Sequence, residues 1–201
     1  MSIRHPAVDE VCRNWDKDVM FKSTWLGEVA VKNPCDAWIY QEIIFKQRPD
    51  VIIETGSFKG GGGLFLASIC QLIGHGRVVS FDVREYNLKP THPLITWVAA
   101  SSTQKAVVDE LKLSIRGKNV LVILDSNHDA DHVAKELSIY HSLIPVGGYL
   151  IVEDTWWKPG SGGPWDAVQE FLKTHPEFEI DKSKEPYTFT NNPNGFLKRI
   201  K

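Results

Sequence analysis

Between Val51 and Asp154, short continuous apolar runs alternate with stretches in which apolar residues recur every three or four positions. The short runs are Val51-Ile52-Ile53, Val78-Val79-Ser80-Phe81, Ile95-Thr96-Trp97-Val98-Ala99, Val120-Leu121-Val122-Ile123-Leu124 and Tyr149-Leu150-Ile151-Val152. They are rich in β-branched residues and bounded by turn residues, so they predict five strands. The stretch after Gly63, the set Val107, Val108, Leu111 and Ile115, and the set Val133, Leu137, Tyr140 and Ile144 predict helices. Strands without a polar face are expected where helices cover both sides. The alternation predicts an α/β fold built on a parallel sheet.

The flanks are less regular. In residues 1–32, Trp15, Met20, Phe21, Trp25 and Leu26 are scattered among charges, which suggests short helices beside the core or a partner surface. Asn33-Pro34-Cys35-Asp36 predicts a helix start with Asp36 as the cap. Trp38, Ile39, Ile43 and Phe45 give its apolar face, and Tyr40-Gln41-Glu42 can reach a ligand cleft. Residues 155–164, with Trp156 and Trp157 among glycines, form a lid over a substrate or a plain surface connection. Pro164 opens a helix carrying Ala167, Val168, Phe171 and Leu172. Phe178–Ile180 and Phe196–Ile200 flank the turn Asn191-Asn192-Pro193-Asn194-Gly195 and predict an antiparallel pair closing one sheet edge. The chain reads as one domain, 1–201, with residues 1–35 as an N-terminal extension.

Composition narrows the partners. With 23 basic and 25 acidic side chains, the charge balance argues against a large electrostatic footprint for nucleic acid. No segment has the length of a membrane span, and the first residues lack a signal-peptide core. Cys12, Cys35 and Cys70 have no metal-type spacing, which points to a reducing, cytoplasmic setting.

The stretch from Val51 to Asp82 carries the first chemistry. An apolar strand enters a glycine-rich turn, a helix follows, and the next strand ends in an acid, as in a βαβ nucleotide-binding unit. Glu54 stands two residues before Gly56, and Gly60 follows, so the pattern differs from Gly-x-Gly-x-x-Gly. A carboxylate there repels a pyrophosphate and suits a cation. S-adenosylmethionine carries an ammonium, a sulfonium and a ribose but no phosphate, so the pattern favours it over NAD. Asp82 is placed to accept hydrogen bonds from a ribose diol. The plain alternative is a glycine-rich turn without a ligand.

Acids mark the other strand tips. Asp125 follows the fourth strand and Glu153-Asp154 the fifth, and adjacent strands lie about 4.8 Å apart. Asp125, Glu153 and Asp154 are therefore placed to share a hard cation such as Mg²⁺; capping or ribose binding are the alternatives. His128, in the loop after Asp125, is a candidate proton acceptor, or else a capping residue or further ligand. His132 is expected to be peripheral and His141 structural.

Ile52-Ile53-Glu54-Thr55-Gly56-Ser57, Gly74-His75-Gly76-Arg77-Val78, Leu124-Asp125-Ser126-Asn127-His128 and Tyr149–Thr155 together resemble the cephalosporin hydroxylase-like group of class I methyltransferases. That group includes metal-dependent O-methyltransferases acting on macrolide sugars and rhamnosyl groups. The resemblance spans about residues 36–200. It implies a Rossmann-like, mostly parallel seven-stranded sheet with helices on both faces and an antiparallel C-terminal edge. It also implies S-adenosylmethionine and Mg²⁺ as cofactors, and a small hydroxyl acceptor: a sugar, polyketide or phenolic diol.

Carried over by position, Glu54 and Gly56 line the methionine end of the cofactor, with Ser57, Phe58 and Gly61 beside them. Asp82 and Val83 take the ribose, Ser101 and Ser102 the adenine, and Asp125 borders both halves. Asp125, Glu153 and Asp154 bind the metal, and His128 is the base. The sequence departs from the group at Asn127, where many relatives have an acid. Its N-terminal part is also short, so the acceptor pocket is more open or completed by another subunit, and a homo-oligomer is expected. The competing readings are an NAD-dependent oxidoreductase and an inactive cofactor-binding module.

Overall fold

A computed structural model describes residues 10–11, 14–15, 19–84, 89–157 and 159–201. Cys12 and much of the proposed N-terminal extension lie outside them. A short hairpin comes first, β1 (Thr24–Trp25) with β2 (Glu28–Val29), followed by α1 (Pro34–Gln47). Then β3 (Val51–Thr55), α2 (Gly61–Ile73), β4 (Arg77–Asp82), β5 (Ile95–Ala99), α3 (Lys105–Ser114), β6 (Val120–Leu124), α4 (Ala130–Tyr140) and β7 (Tyr149–Val152) alternate. The chain ends with α5 (Pro164–Thr174), β8 (Phe178–Ile180) and β9 (Phe196–Arg199).

The main sheet has seven strands in the order β5-β4-β3-β6-β7-β9-β8. The first five pair in parallel, and β9 runs antiparallel between β7 and β8. The strand order reverses on either side of β3, between β4 and β6, which is the switch point at which open α/β sheets form a ligand crevice.

Alternate strand residues feed two cores. Val51, Ile53, Val79, Phe81, Val122 and Leu124 pack on one face, against residues of α3, α4 and α5. Ile52, Val78, Leu121, Ile123 and Ile151 pack on the other, against α1 and α2. This two-sided burial explains why the strands lack a polar face.

The first helix departs from its expected face and cap. Its buried residues are Ile39, Tyr40, Ile43 and Ile44, whereas Trp38 and Phe45 are more than half exposed. Asn33, not Asp36, is the cap: its side chain accepts from the Cys35 backbone N–H at 2.9 Å. Asp36 is buried and turned toward the C-terminal segment.

Candidate active site

The site lies beyond the C-terminal ends of β3, β4, β6 and β7. Gly56 turns the chain out of β3 at φ +84°, and a Cβ on it would stand 1.8 Å from the Asp125 carbonyl oxygen. Only glycine permits both that conformation and that approach. The Gly56 and Ser57 N–H groups donate to the Phe81 carbonyl, each at 2.8 Å, which locks the turn to β4. Asp82 accepts from the backbone N–H groups of Phe58 at 2.7 Å and Arg84 at 2.9 Å.

These tips surround a cavity of about 230 Å³ lined by Gly56, Asp82, Val83, Ser101 and Ser102, five of the residues expected to hold the cofactor. Ser126 and Asn127 complete the wall with His132, which the sequence places at the periphery. His132 Nε2 stands 3.6 Å from Glu136 Oε1, and this partner raises the imidazole above its ordinary pKa. Glu136 is fully buried and accepts from Ser102 Oγ at 2.5 Å and Ser126 Oγ at 2.8 Å. In sequence, Glu136 reads as an ordinary polar position on α4, so nothing there marks it.

The other expected cofactor residues stand apart from this cavity. Ser57 Oγ accepts from Lys89 Nζ at 3.0 Å, and Phe58 adopts φ +45°. Gly61 lies against the hairpin, where a Cβ would be 2.2 Å from the Val29 carbonyl oxygen. Glu54 is buried under α2, accepting from Ser80 Oγ at 2.5 Å, and a Cβ on Gly62 would stand 2.6 Å from its Oε1.

On the β6–β7 side, four carboxylates and one ammonium come together. Lys32 Nζ lies 2.5 Å from Asp125 Oδ2, 2.7 Å from Glu153 Oε1 and 3.9 Å from Glu54 Oε1, with its side chain 7% exposed. Tyr40 Oη, buried beside this group, accepts from Asn192 Nδ2 at 2.7 Å. Asp154 follows at φ +53°, a left-handed conformation that is uncommon outside glycine. Its N–H donates to Asn192 Oδ1 at 3.0 Å, which fixes that turn. The two neighbours therefore diverge. Glu153 joins Lys32, while Asp154 turns to His128, whose Nε2 lies 3.3 Å from Asp154 Oδ2 and 3.5 Å from Asp125 Oδ1.

The three acids expected to share a cation are thus divided. One ligand atom each from Asp125, His128 and Asp154 lies within 4.8 Å of the others, and Glu153 is not in that group. The donor set, two carboxylates and an imidazole, suits a divalent cation. Asp125 serves both groups, one oxygen on each side.

Burial sets the protonation landscape. It pushes Glu54, Glu153 and Asp154 above the usual carboxylate range, and repulsion from Asp125 adds to the rise of the latter two. Burial acts the same way on Asp125, but Lys32 and His128 outweigh it and hold that carboxyl low. Burial opposes the charge on Lys32, yet Asp125, Glu153 and Glu54 raise it well above its ordinary value. His128 is raised by Asp125 against the effect of burial. One ammonium cannot neutralise four carboxylates, so the cluster favours further positive charge.

The C-terminal turn supports this half from behind. Asp36 accepts from Thr190 Oγ1 at 2.5 Å and from the Asn191 N–H at 2.8 Å, and Asn33 Nδ2 donates to Asn191 Oδ1 at 3.1 Å. Burial pushes Asp36 up to about 7. Trp156 Nε1 donates to Asp154 Oδ1 at 2.9 Å, and the N–H groups of Gly160, Gly162 and Gly163 donate to Asp166 at the start of α5. Sequence reasoning names neither Lys32 nor Asn192 as a site residue. Lys32 lies in a stretch with no period, and its role exists only through partners 93 and 121 positions away.

The family model "Rhamnosyl O-methyltransferase/CmcI" matches residues 17–200. A rhamnosyl O-methyltransferase of Mycobacterium leprae (strain TN) is 35% identical over 191 residues, covering 88% of this chain and 83% of the relative. One of Mycobacterium tuberculosis (strain ATCC 25618 / H37Rv) is 34% identical over 196 residues, covering 90% and 80%. Among solved structures, CmcI with Mg and SAM superposes with a TM-score of 0.72 at 18% identity, over all of this chain and 87% of the other. MycE, a methyltransferase of mycinamycin biosynthesis solved with Mg, SAH and mycinamycin VI, gives 0.61 at 16% identity, over 98% of this chain and 54% of the other. The structural likenesses establish the shared fold. The resemblance noted in the sequence is borne out: this chain belongs to the Rhamnosyl O-methyltransferase/CmcI family, a family of S-adenosylmethionine-dependent O-methyltransferases.

Proposed function

We propose that the chain uses a divalent cation to move a methyl group from S-adenosylmethionine to a hydroxyl of a sugar or sugar-bearing natural product. The observation that carries this reading is the pairing at the strand tips. A nucleoside-sized cavity ends in Asp82 on one side, and the Asp125–His128–Asp154 group stands on the other. The rhamnosyl O-methyltransferase relatives and the mycinamycin-bound MycE support a sugar-bearing acceptor.

S-adenosylmethionine would supply the electrophilic methyl. Asp82 would accept from its ribose diol, Ser101 and Ser102 would face the adenine, and Glu54 with Gly56 would border the methionine end. Asp125 and Asp154 would hold Mg²⁺ or a similar cation, which lowers a hydroxyl pKa by Lewis acidity. Lys32 keeps Glu153 and Asp125 Oδ2 engaged, which leaves Asp125 Oδ1 on the side of His128. His128, one-third exposed and backed by two carboxylates, would take the acceptor proton. Trp156, hydrogen-bonded to Asp154, would carry the 155–164 loop over the acceptor and exclude water.

His128 is also close enough to be a third ligand, and His128→Gln separates the two roles. As a base, its loss abolishes methyl transfer to a polyol acceptor while calorimetric Mg²⁺ affinity stays within about threefold of wild type. As a ligand, its loss weakens metal binding by about tenfold or more, the scale of lost support at metal sites. Full methyl transfer by this variant, or insensitivity of transfer to EDTA, would refute the respective part. Binding of NAD in place of S-adenosylhomocysteine would overturn the cofactor assignment.

A further inference from the structure

A second group of ligand atoms comes together at the end of the sheet opposite the cleft. His141 directly follows α4, His175 directly follows α5, and Glu177 directly precedes β8. One ligand atom from each lies within 4.8 Å of the other two. The 11 residues of α4 separate this end from the cleft, about 16 Å at 1.5 Å per residue.

Both rings are held from behind. His141 Nδ1 lies 2.9 Å from the Leu137 carbonyl oxygen, and His175 Nδ1 lies 3.0 Å from that of Phe171. The Thr174 hydroxyl also lies 2.9 Å from His175 Nδ1, but it donates its own proton to the Phe171 carbonyl at 3.2 Å and so accepts here; with the carbonyls accepting too, each Nδ1 donates, which leaves the lone pair on Nε2. His175 stacks on Phe171 with centroids 4.0 Å apart, and His141 meets His175 edge-on at 4.7 Å. The stack covers a ring face and leaves the ring edge available. An imidazole whose Nδ1–H is bound to a backbone carbonyl is the usual support of a metal-ligating histidine. Both histidines also sit at helix C-termini, where backbone carbonyls favour a cation.

We propose that His141 Nε2, His175 Nε2 and the Glu177 carboxylate form a second metal site, distinct from the cleft, for a borderline divalent cation such as Zn²⁺. Two imidazoles and one carboxylate match zinc chemistry, whereas Mg²⁺ prefers oxygen donors. The two sites therefore differ in metal as well as in place. The distal ion ties the ends of α4 and α5 to the start of β8. Its role is structural, since its three ligands stand at element ends, at the far end of α4 from the cleft.

The test uses the full chain, stripped of metal by a chelator and titrated with Zn²⁺ in excess Mg²⁺. One equivalent of Zn²⁺ is expected, with a rise in thermal midpoint, and with Co²⁺ a visible absorption band of a nitrogen-ligated ion. His141→Gln and Glu177→Gln should each weaken Zn²⁺ binding by about tenfold or more, since even a lost supporting residue costs about 10–100-fold. Both should leave the metal-free midpoint and S-adenosylhomocysteine binding unchanged, and Asp154→Asn should leave the Zn²⁺ isotherm intact. No Zn²⁺ uptake by the wild type overturns the proposal. Uptake that survives both glutamine variants, or that disappears with Asp154→Asn, also overturns it.

Discussion

The two halves of the cleft are built by different means. The cavity half, around Gly56, Asp82 and Ser101, is made mainly from the ends of β3, β4 and β5 and the turns that leave them, with Ser126, Asn127 and His132 closing the β6 side. Its contacts are largely backbone, such as the Gly56 and Phe58 N–H bonds. The acid half joins the tips of β6 and β7 to Lys32, Tyr40 and Asn192, from opposite ends of the chain. The first half is a product of the sheet's own connectivity. The second is a buried charge cluster that depends on long-range partners, so it is the half whose loss is costly.

The sharpest way to break this contrast is Lys32→Met. Removing the ammonium leaves Glu153 and Asp125 facing each other without compensation, and breaking a buried ion pair on one side costs about 3–5 kcal/mol. Denaturant unfolding should show that loss, and adding Glu153→Gln should recover part of it. A Lys32→Met protein as stable as wild type would erase the distinction. Asp82→Asn tests the other half. It should weaken S-adenosylhomocysteine binding by about 1.5–3 kcal/mol, the range for a hydrogen bond to a charged group, with Mg²⁺ affinity unchanged in calorimetry.

The acid half should also show in the pH dependence of stability. Asp36 titrates near 7 when folded and near 3.8 in its ordinary state. Between these values the native state holds the proton and the unfolded chain does not. Stability therefore falls as pH rises through that window and is level above it, with a slope of at most about 1.4 kcal/mol per pH unit from this group. Asp36→Asn should flatten this share of the slope in unfolding measured from pH 4 to 8. A further loss is expected from Thr190→Val, which removes the hydrogen bond its hydroxyl donates to Asp36 and the one it accepts from the Asn192 N–H, about 2 kcal/mol together in unfolding free energy.

The same contrast explains what the sequence made legible. The strands of the parallel sheet announce themselves because both faces are buried, and the tips of β3, β4 and β6 follow from strand order. Asp82 could thus be placed at the cleft from its position alone, whereas Ser101 and Ser102 followed only from the family resemblance; all three line the cavity. The acids of β6 and β7 were also visible, since they end apolar runs. Their division was not: it depends on the left-handed turn at Asp154, held by Asn192, and on a lysine from the N-terminal segment. Trp38 and Phe45 misled because apolar character says nothing about which helix face the sheet covers. His132 was misjudged because its neighbour Glu136 is defined only by the packing of α4.

The position of β9 has a consequence in time. In this sheet β8 pairs only with β9 among the described residues, and β9 lies between it and β7. During synthesis the chain makes β8 first, yet β8 has no strand to join until β9 has emerged. The same late stretch carries Asn191 and Asn192 into the acid half. A nascent chain can therefore assemble its cavity turns well before it can assemble the charge cluster. Until β9 arrives, β7 is an open edge of the kind that invites pairing with another chain.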